Sequence, residues 1–153
     1  VRIICDTHLR TPLSAQIVQT ASEVPTIIAT IIEEEEKKKP YTDLGCQVWT
    51  VPADKTHIDL KALMKKAGEA GIDSILLEGG GTLNYSALKS GIVQEVEMYI
   101  APKIFGGELA KTPVEGQGIA KVSDAFSLKN PKTEQIGEDI LVTWEVEQCL
   151  QES

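Results

Sequence analysis

Ser74-Ile75-Leu76-Leu77-Glu78-Gly79-Gly80-Gly81-Thr82-Leu83-Asn84-Tyr85-Ser86 decides the fold class. The run from Ser74 to Glu78 is apolar without alternation, the pattern of a strand covered on both faces. From Thr82 onward Leu83, Ala87 and Leu88 read as helix, and Gly91 stops it. Strand, glycine turn and helix together make a βα unit of an α/β protein. Glycines allow a sharp turn and close approach of backbone to a ligand, and the unpaired N–H groups of a helix start favour an anion. The spacing is not G-x-G-x-x-G, and no Lys-Ser or Lys-Thr follows as a P-loop requires. On the residues alone, a phosphate-binding turn and an ordinary glycine-rich βα turn both stay open.

Working outward, Asp59 caps an amphipathic helix in which Leu60, Leu63, Met64 and Ala67 recur at helical spacing and Gly71 supplies the stop. Downstream, Val93, Val96, Met98 and Ile100 alternate with Glu95, Glu97 and Tyr99, a strand with one wet face. The unit reads β-α-β-α-β. Nearer the start, Val1–Cys5 and the β-branched run Pro25–Ile32 are strands, Ser14–Ala21 is a short helix, and Cys46–Val51 alternates as a third strand ending at Pro52. Glu33–Lys39, four acids and three bases, has helix propensity but no apolar stripe, so it reads as a solvated surface helix or loop. Pro102–Gly118 is glycine-rich and irregular, a functional or dimer-facing loop. Lys132–Ile136 and Asp139–Glu147, joined at Gly137-Glu138, form an antiparallel hairpin.

At 153 residues and 42% hydrophobic composition the chain suits a single domain, residues 1–153. A net charge of −8 without a basic face argues against nucleic acid and anionic membrane as partners and for a small molecule. No apolar run approaches the roughly 20 residues of a membrane span, so the expected location is cytoplasmic. Cys5, Cys46 and Cys149 are scattered, with no C-x-x-C, and support neither a disulfide framework nor zinc. His8 and His57 lack further ligands at metal spacing, so no metal is expected. No nucleophile elbow exists, and no covalent or acid/base catalytic residue is identified. What remains is an anion-friendly turn, a polar loop after the first strand, and Glu78, which either faces a ligand at a strand's carboxyl end or is merely solvated. Those parts suit a nucleotide cofactor.

Glu78-Gly79-Gly80-Gly81-Thr82-Leu83, then Tyr99-Ile100-Ala101-Pro102-Lys103-Ile104-Phe105-Gly106-Gly107, with Arg2-Ile3-Ile4-Cys5-Asp6-Thr7 and Leu9-Arg10-Thr11-Pro12 near the start, resemble the reductase domain of the bifunctional riboflavin-biosynthesis deaminase/reductase, the RibD type. The opening passage is similar to that family's Val-Asp-Ser-x-x-Arg-x-Pro. The resemblance covers Val1 to Glu147. It implies a dihydrofolate-reductase-like α/β fold, a mixed β-sheet flanked by helices with the antiparallel hairpin at its carboxyl end. It also implies NADPH-dependent reduction of 5-amino-6-(5-phosphoribosylamino)uracil to the ribitylamino product. Carried over residue by residue, it places substrate binding on Glu78. Cofactor binding falls on Thr7, Gly80, Gly81, Thr82, Leu83, Asn84, Tyr85 and Ser86. Hydride transfer needs alignment of two bound partners and no covalent residue.

The chain departs from that family in two ways. The zinc deaminase half, with its H-x-E and P-C-x-x-C signatures, is absent from the sequence and is expected in the parent chain. The amino-terminal strands of the reductase domain are missing too, with their phosphate-gripping arginines. Val1 is not an initiator methionine, so the expectation is a partial reductase domain, weakly active or inactive alone, with exposed sheet edges that favour a homodimer. A dihydrofolate reductase-like enzyme with another pterin or pyrimidine substrate, a non-catalytic dimerisation or nucleotide-binding module, and a Rossmann-type sugar-phosphate binder are the alternatives. The preference for NADPH over NADH is not legible, with Arg10 and Lys103 the candidates for reading the 2′-phosphate.

Overall fold

A strand buried on both faces wants β-branched and aliphatic residues throughout, and Thr26-Ile27-Ile28-Ala29-Thr30 supplies them. In the computed structural model, which describes residues 1–147, this is the central strand of the first of two compact units, Val1–Asp73. That unit runs β1 (Arg2–Cys5), α1 (Gln16–Gln19), β2 (Thr26–Thr30), α2 (Glu35–Asp43), β3 (Gln47–Thr50), β4 (Ala53–Asp54), β5 (His57–Ile58) and α3 (Leu60–Glu69). The order β1-β2-β3 is parallel, with Ile3 opposite Ile27 and Ile28 opposite Val48, while β4 and β5 form a two-stranded antiparallel ribbon. All five residues of β2 are buried. Ile28 packs with Val18 of α1, Ala21, Tyr41 of α2 and Cys46.

The α3 boundaries follow local chemistry. The Asp59 carboxylate accepts from the N–H groups of Lys61 (2.9 Å) and Ala62 (3.1 Å), satisfying two orphan donors of the first turn. Leu60, Leu63 and Ala67 form the buried stripe, and Gly71 closes the helix at φ +78°. The acidic and basic block is solvated as expected: Glu33–Lys37 and Lys39 are exposed, and Lys38 alone is buried. α2 starts at Glu35, continues through Pro40 to Asp43, and buries Lys38 and Tyr41. The residue that anchors this helix to the core, Tyr41, lies beyond the proline at which the charged run ends. Lys38 packs its stem inward and reaches Glu35 at 2.9 Å, which leaves only its charged tip to satisfy.

The second unit begins at Ser74. It holds α4 (Gly81–Lys89), β6 (Glu95–Ile100), a 3-10 turn at Val122–Asp124, β7 (Leu128–Ile136) and β8 (Asp139–Val146). The expected hairpin is present as β7 and β8, turning at Gly137 with φ +61°. β8 also pairs with β6, Val96 opposite Trp144 and Met98 opposite Val142, giving the antiparallel order β6-β8-β7. Asn130 at φ +52° and Pro131 interrupt the β7 ladder between Lys129 and Lys132, a device that blunts a sheet edge. The structure thus contains both parallel and antiparallel strands with helices. Between Ile100 and Val122 no helix or strand forms, in line with the irregular reading.

One expected element is not there. Ser74–Gly80 has no regular structure, and Ile75, Leu76 and Leu77 are exposed, Leu76 by 74%. Apolar composition favours a strand, but a strand exists only where a neighbour takes its N–H and C=O groups. Among the described residues no strand pairs with this run. β6 is likewise less covered than its alternation suggests, with Met98 and Ile100 exposed. Cys5 and Cys46 are free thiols, and Cys149 lies outside the described residues.

Candidate functional site

In the first unit the carboxyl ends of three parallel strands lie side by side, the place where open α/β sheets bind ligands. Asp6 follows β1 and is buried. Its carboxylate accepts from both the N–H and the hydroxyl of Thr11, each at 2.7 Å. Burial works to raise this carboxyl group. Hydrogen bonds from the Arg10 backbone, the Thr11 hydroxyl and N–H, and the His8 backbone outweigh burial and hold it below its ordinary value. Asp6 is therefore a carboxylate that folds Thr7–Thr11 into a loop around itself.

Tyr41 grips the same loop from α2, its hydroxyl lying 3.0 Å from the Leu9 carbonyl and 2.7 Å from that of Thr11. Burial, then the neighbouring Asp6 and Cys46, push its phenol up, so it stays a protonated donor. The Thr7 carbonyl accepts from the Thr30 hydroxyl (2.9 Å) and the Ile31 N–H (3.2 Å). The Thr7 hydroxyl and the Arg10 guanidinium have no hydrogen-bond partner among the described residues. Past the ends of β2 and β3 a cleft of about 450 Å³ opens, lined by Ile31, Glu33, Thr50, Val51, Pro52 and Ala53. It is within the size range of small-molecule sites.

In the second unit the glycine turn leads into α4 as expected, one residue earlier than Thr82. Gly80 is the N-cap, and its carbonyl accepts from Leu83 (2.9 Å) and Asn84 (3.1 Å). No side chain caps this end, so the first N–H groups face outward with the positive end of the helix dipole. The three glycines have distinct reasons. A Cβ on Gly79 would stand 2.8 Å from the Leu83 side chain, and one on Gly81 would stand 2.6 Å from Glu115 Cγ. One on Gly80 would meet no described atom within 4 Å.

Glu115 belongs to a strap, Thr112–Gly118, that lies along the start of α4. Its N–H donates to the Gly81 carbonyl (3.0 Å), Asn84 Nδ2 donates to the Pro113 carbonyl (2.8 Å), and the Tyr85 hydroxyl donates to the Gly118 carbonyl (3.0 Å). Tyr85 also meets Phe126 edge-on at 6.1 Å and lies under Lys89 Nζ at 5.9 Å. Asn84 Oδ1 is buried without a partner among the described residues. The Ser86 hydroxyl is engaged by the Thr82 carbonyl at 2.9 Å. Glu78 is exposed, with no hydrogen bond or ion pair among the described residues. The residues Gly80–Ser86 are therefore brought together on one helix start, while Thr7 belongs to the first unit. Reading from the sequence missed Tyr41 and Glu115, for both act across long stretches of chain. Asp6 was within reach, since an Asp that opens a loop ending in Thr is a common turn signal.

Residues 1–142 match the family described as the RibD C-terminal domain. The chain belongs to that family. A riboflavin biosynthesis protein RibD from Actinobacillus pleuropneumoniae is 51% identical over 146 residues, covering 95% of this chain and 39% of that protein. A Methanothermobacter thermautotrophicus protein named 2,5-diamino-6-ribosylamino-4(3H)-pyrimidinone 5′-phosphate reductase is 36% identical, covering 95% of this chain and 66% of its own length. This RibD C-terminal domain member thus spans only part of the curated relatives it matches. Among solved structures, Acinetobacter baumannii RibD has a TM-score of 0.75 at 22% identity, covering 96% of this chain and 37% of that one. The riboflavin biosynthesis reductase Rib7 of Saccharomyces cerevisia has a TM-score of 0.68 at 18% identity, covering 95% and 69%. At these identities the likeness establishes the α/β fold.

Proposed function

We propose that this chain is a partial reductase domain that takes part in the NADPH-dependent reduction of 5-amino-6-(5-phosphoribosylamino)uracil in riboflavin biosynthesis. The proposal takes residues 1–153 as one domain; the family match, which runs through residues 1–142 of both compact units, is its support. The observation that carries the cofactor half is the turn at Gly80, uncapped by any side chain and unobstructed where a Cβ would stand. The buried, unpartnered Asn84 Oδ1 beside it fits a ligand that brings a donor.

On this reading the N–H groups of Gly80, Gly81 and Thr82 hold the pyrophosphate, and Leu83, Asn84, Tyr85 and Ser86 complete the contact surface. Thr7 offers its hydroxyl to the cofactor, and Arg10 and Lys103 are the two candidates for reading a 2′-phosphate. Bound NADPH would supply the hydride that, once the ribosyl ring has opened to an imine, reduces the anomeric carbon to the ribityl product. Glu78 positions the substrate by accepting a hydrogen bond, so that no covalent step is needed.

Two measurements test this. NADPH oxidation should be greater with the amino-uracil substrate than with dihydrofolate, and Glu78→Gln should raise the substrate KM about tenfold with NADPH affinity unchanged, the loss of one hydrogen bond to a charged group. Equal turnover of dihydrofolate, or an unaltered KM, defeats the substrate assignment. The proposal extends to a homodimer, a cytoplasmic location and a zinc deaminase half in the parent protein. The exposed β6 edge and the unpaired Ile75–Leu77 run motivate the dimer. Light scattering should return twice the chain mass; a monomer at all concentrations rejects it. No described helix is long and apolar enough to cross a membrane.

A further inference from the structure

The loop Thr7–Thr11 is held far more firmly than a strand-to-helix connection requires. Asp6 binds Thr11 twice at 2.7 Å, Tyr41 reaches the carbonyls of Leu9 and Thr11, and the Thr30 hydroxyl and Ile31 N–H both close on the Thr7 carbonyl. Leu9 stands at φ +52°, a left-handed conformation that a branched aliphatic residue keeps only when its surroundings impose it. While the backbone is bound from three sides, the Thr7 hydroxyl and the His8 and Arg10 side chains find no partner among the described residues. A fixed backbone carrying uncommitted polar side chains is the arrangement that recognises a ligand with little ordering cost.

We propose that Tyr41 and Asp6 are positioning residues for the cofactor, holding the Thr7–Thr11 loop in the one conformation that presents Thr7 and Arg10 to the phosphorylated adenosine ribose of NADPH. This rests on the cofactor reading above and assigns the two residues that make it selective. Tyr41 shares a single proton between two carbonyls that have no other use for it. Once that proton is removed, the strained Leu9 is free to relax, and the ligand must re-order the loop before Arg10 can bind it. That cost falls on a ligand that touches the loop. NADH, which has no 2′-phosphate, is spared it.

The test is calorimetric titration of the protein with NADPH and with NADH, together with amide hydrogen exchange of the ligand-free loop. Tyr41→Phe should lose about fivefold in NADPH affinity, the equivalent of about one hydrogen bond, while NADH affinity changes by less than about twofold. Exchange across residues 8–11 should quicken in the same variant without any cofactor present. Asp6→Asn should give the same pattern, so the result does not depend on one substitution folding well. Arg10→Ala should lose at least about tenfold for NADPH alone and leave exchange unaltered. If Arg10→Ala behaves so but Tyr41→Phe and Asp6→Asn weaken both cofactors equally, or neither, the two residues are merely structural and the proposal is overturned with the cofactor reading intact. If Arg10→Ala leaves the NADPH-to-NADH ratio unmoved, the loop does not read the phosphate and the proposal fails with that part of the reading. A native protein that binds neither cofactor overturns both.

Discussion

Gly80→Ala will leave the melting temperature essentially unchanged and weaken NADPH binding by about tenfold or more. The stability half follows from the backbone. Gly80 has φ −71° and ψ 163°, an extended conformation open to alanine, and no described atom lies within 4 Å of the new methyl group. Alanine at such a site gains about 0.4–1 kcal/mol by restricting the unfolded chain. It gives back a similar amount, roughly 0.5–1 kcal/mol, as a poorer N-cap than glycine. The binding half follows from the ligand. A phosphate held by the N–H groups of a helix start must come within van der Waals reach of the N-cap Cα, where the methyl group would stand. A silent fold with lost affinity marks the space above Gly80 as ligand space. Unchanged affinity, measured by fluorescence titration, would show that the turn is an ordinary glycine-rich helix start.

Elements whose cause is local were legible. Asp59 and Gly71 bracket α3 with a cap and a left-handed stop, and the alternation of β8 needs only its own side chains to be read. β2 was legible because an unbroken β-branched run has few other uses. The Ile75–Leu77 run has the same composition and still forms no strand, because pairing is a property of the neighbour and not of the segment. The site divides the same way. The turn at Gly80 could be anticipated from glycines at a helix start, whereas Tyr41 meets Thr11 thirty positions away across a charged helix that gave no apolar signal. Gly81 was read as room for a ligand, and the structure gives it a second purpose, the close approach of Glu115.

That second purpose makes Gly81→Ala the counterpart of the first substitution, with the opposite signature. Its Cβ would stand 2.6 Å from Glu115 Cγ and 2.8 Å from Glu115 N. The side-chain carbon can swing away; the backbone nitrogen can move only if the strap moves. The Glu115 N–H to Gly81 carbonyl bond must then break, and the Asn84 and Tyr85 bonds to Pro113 and Gly118 are drawn with it. Overpacking against backbone costs about 1–3 kcal/mol, more than the helix propensity alanine adds at the first turn. The expected result is a lower melting temperature and faster proteolytic cleavage between Thr112 and Gly118, both absent from Gly80→Ala. Tyr85→Phe should reproduce the cleavage in weaker form, because it removes one tether and no space. If Gly81→Ala melts like the native protein and the strap resists protease as before, the strap is not seated on α4 and Gly81 has only the role first read from it.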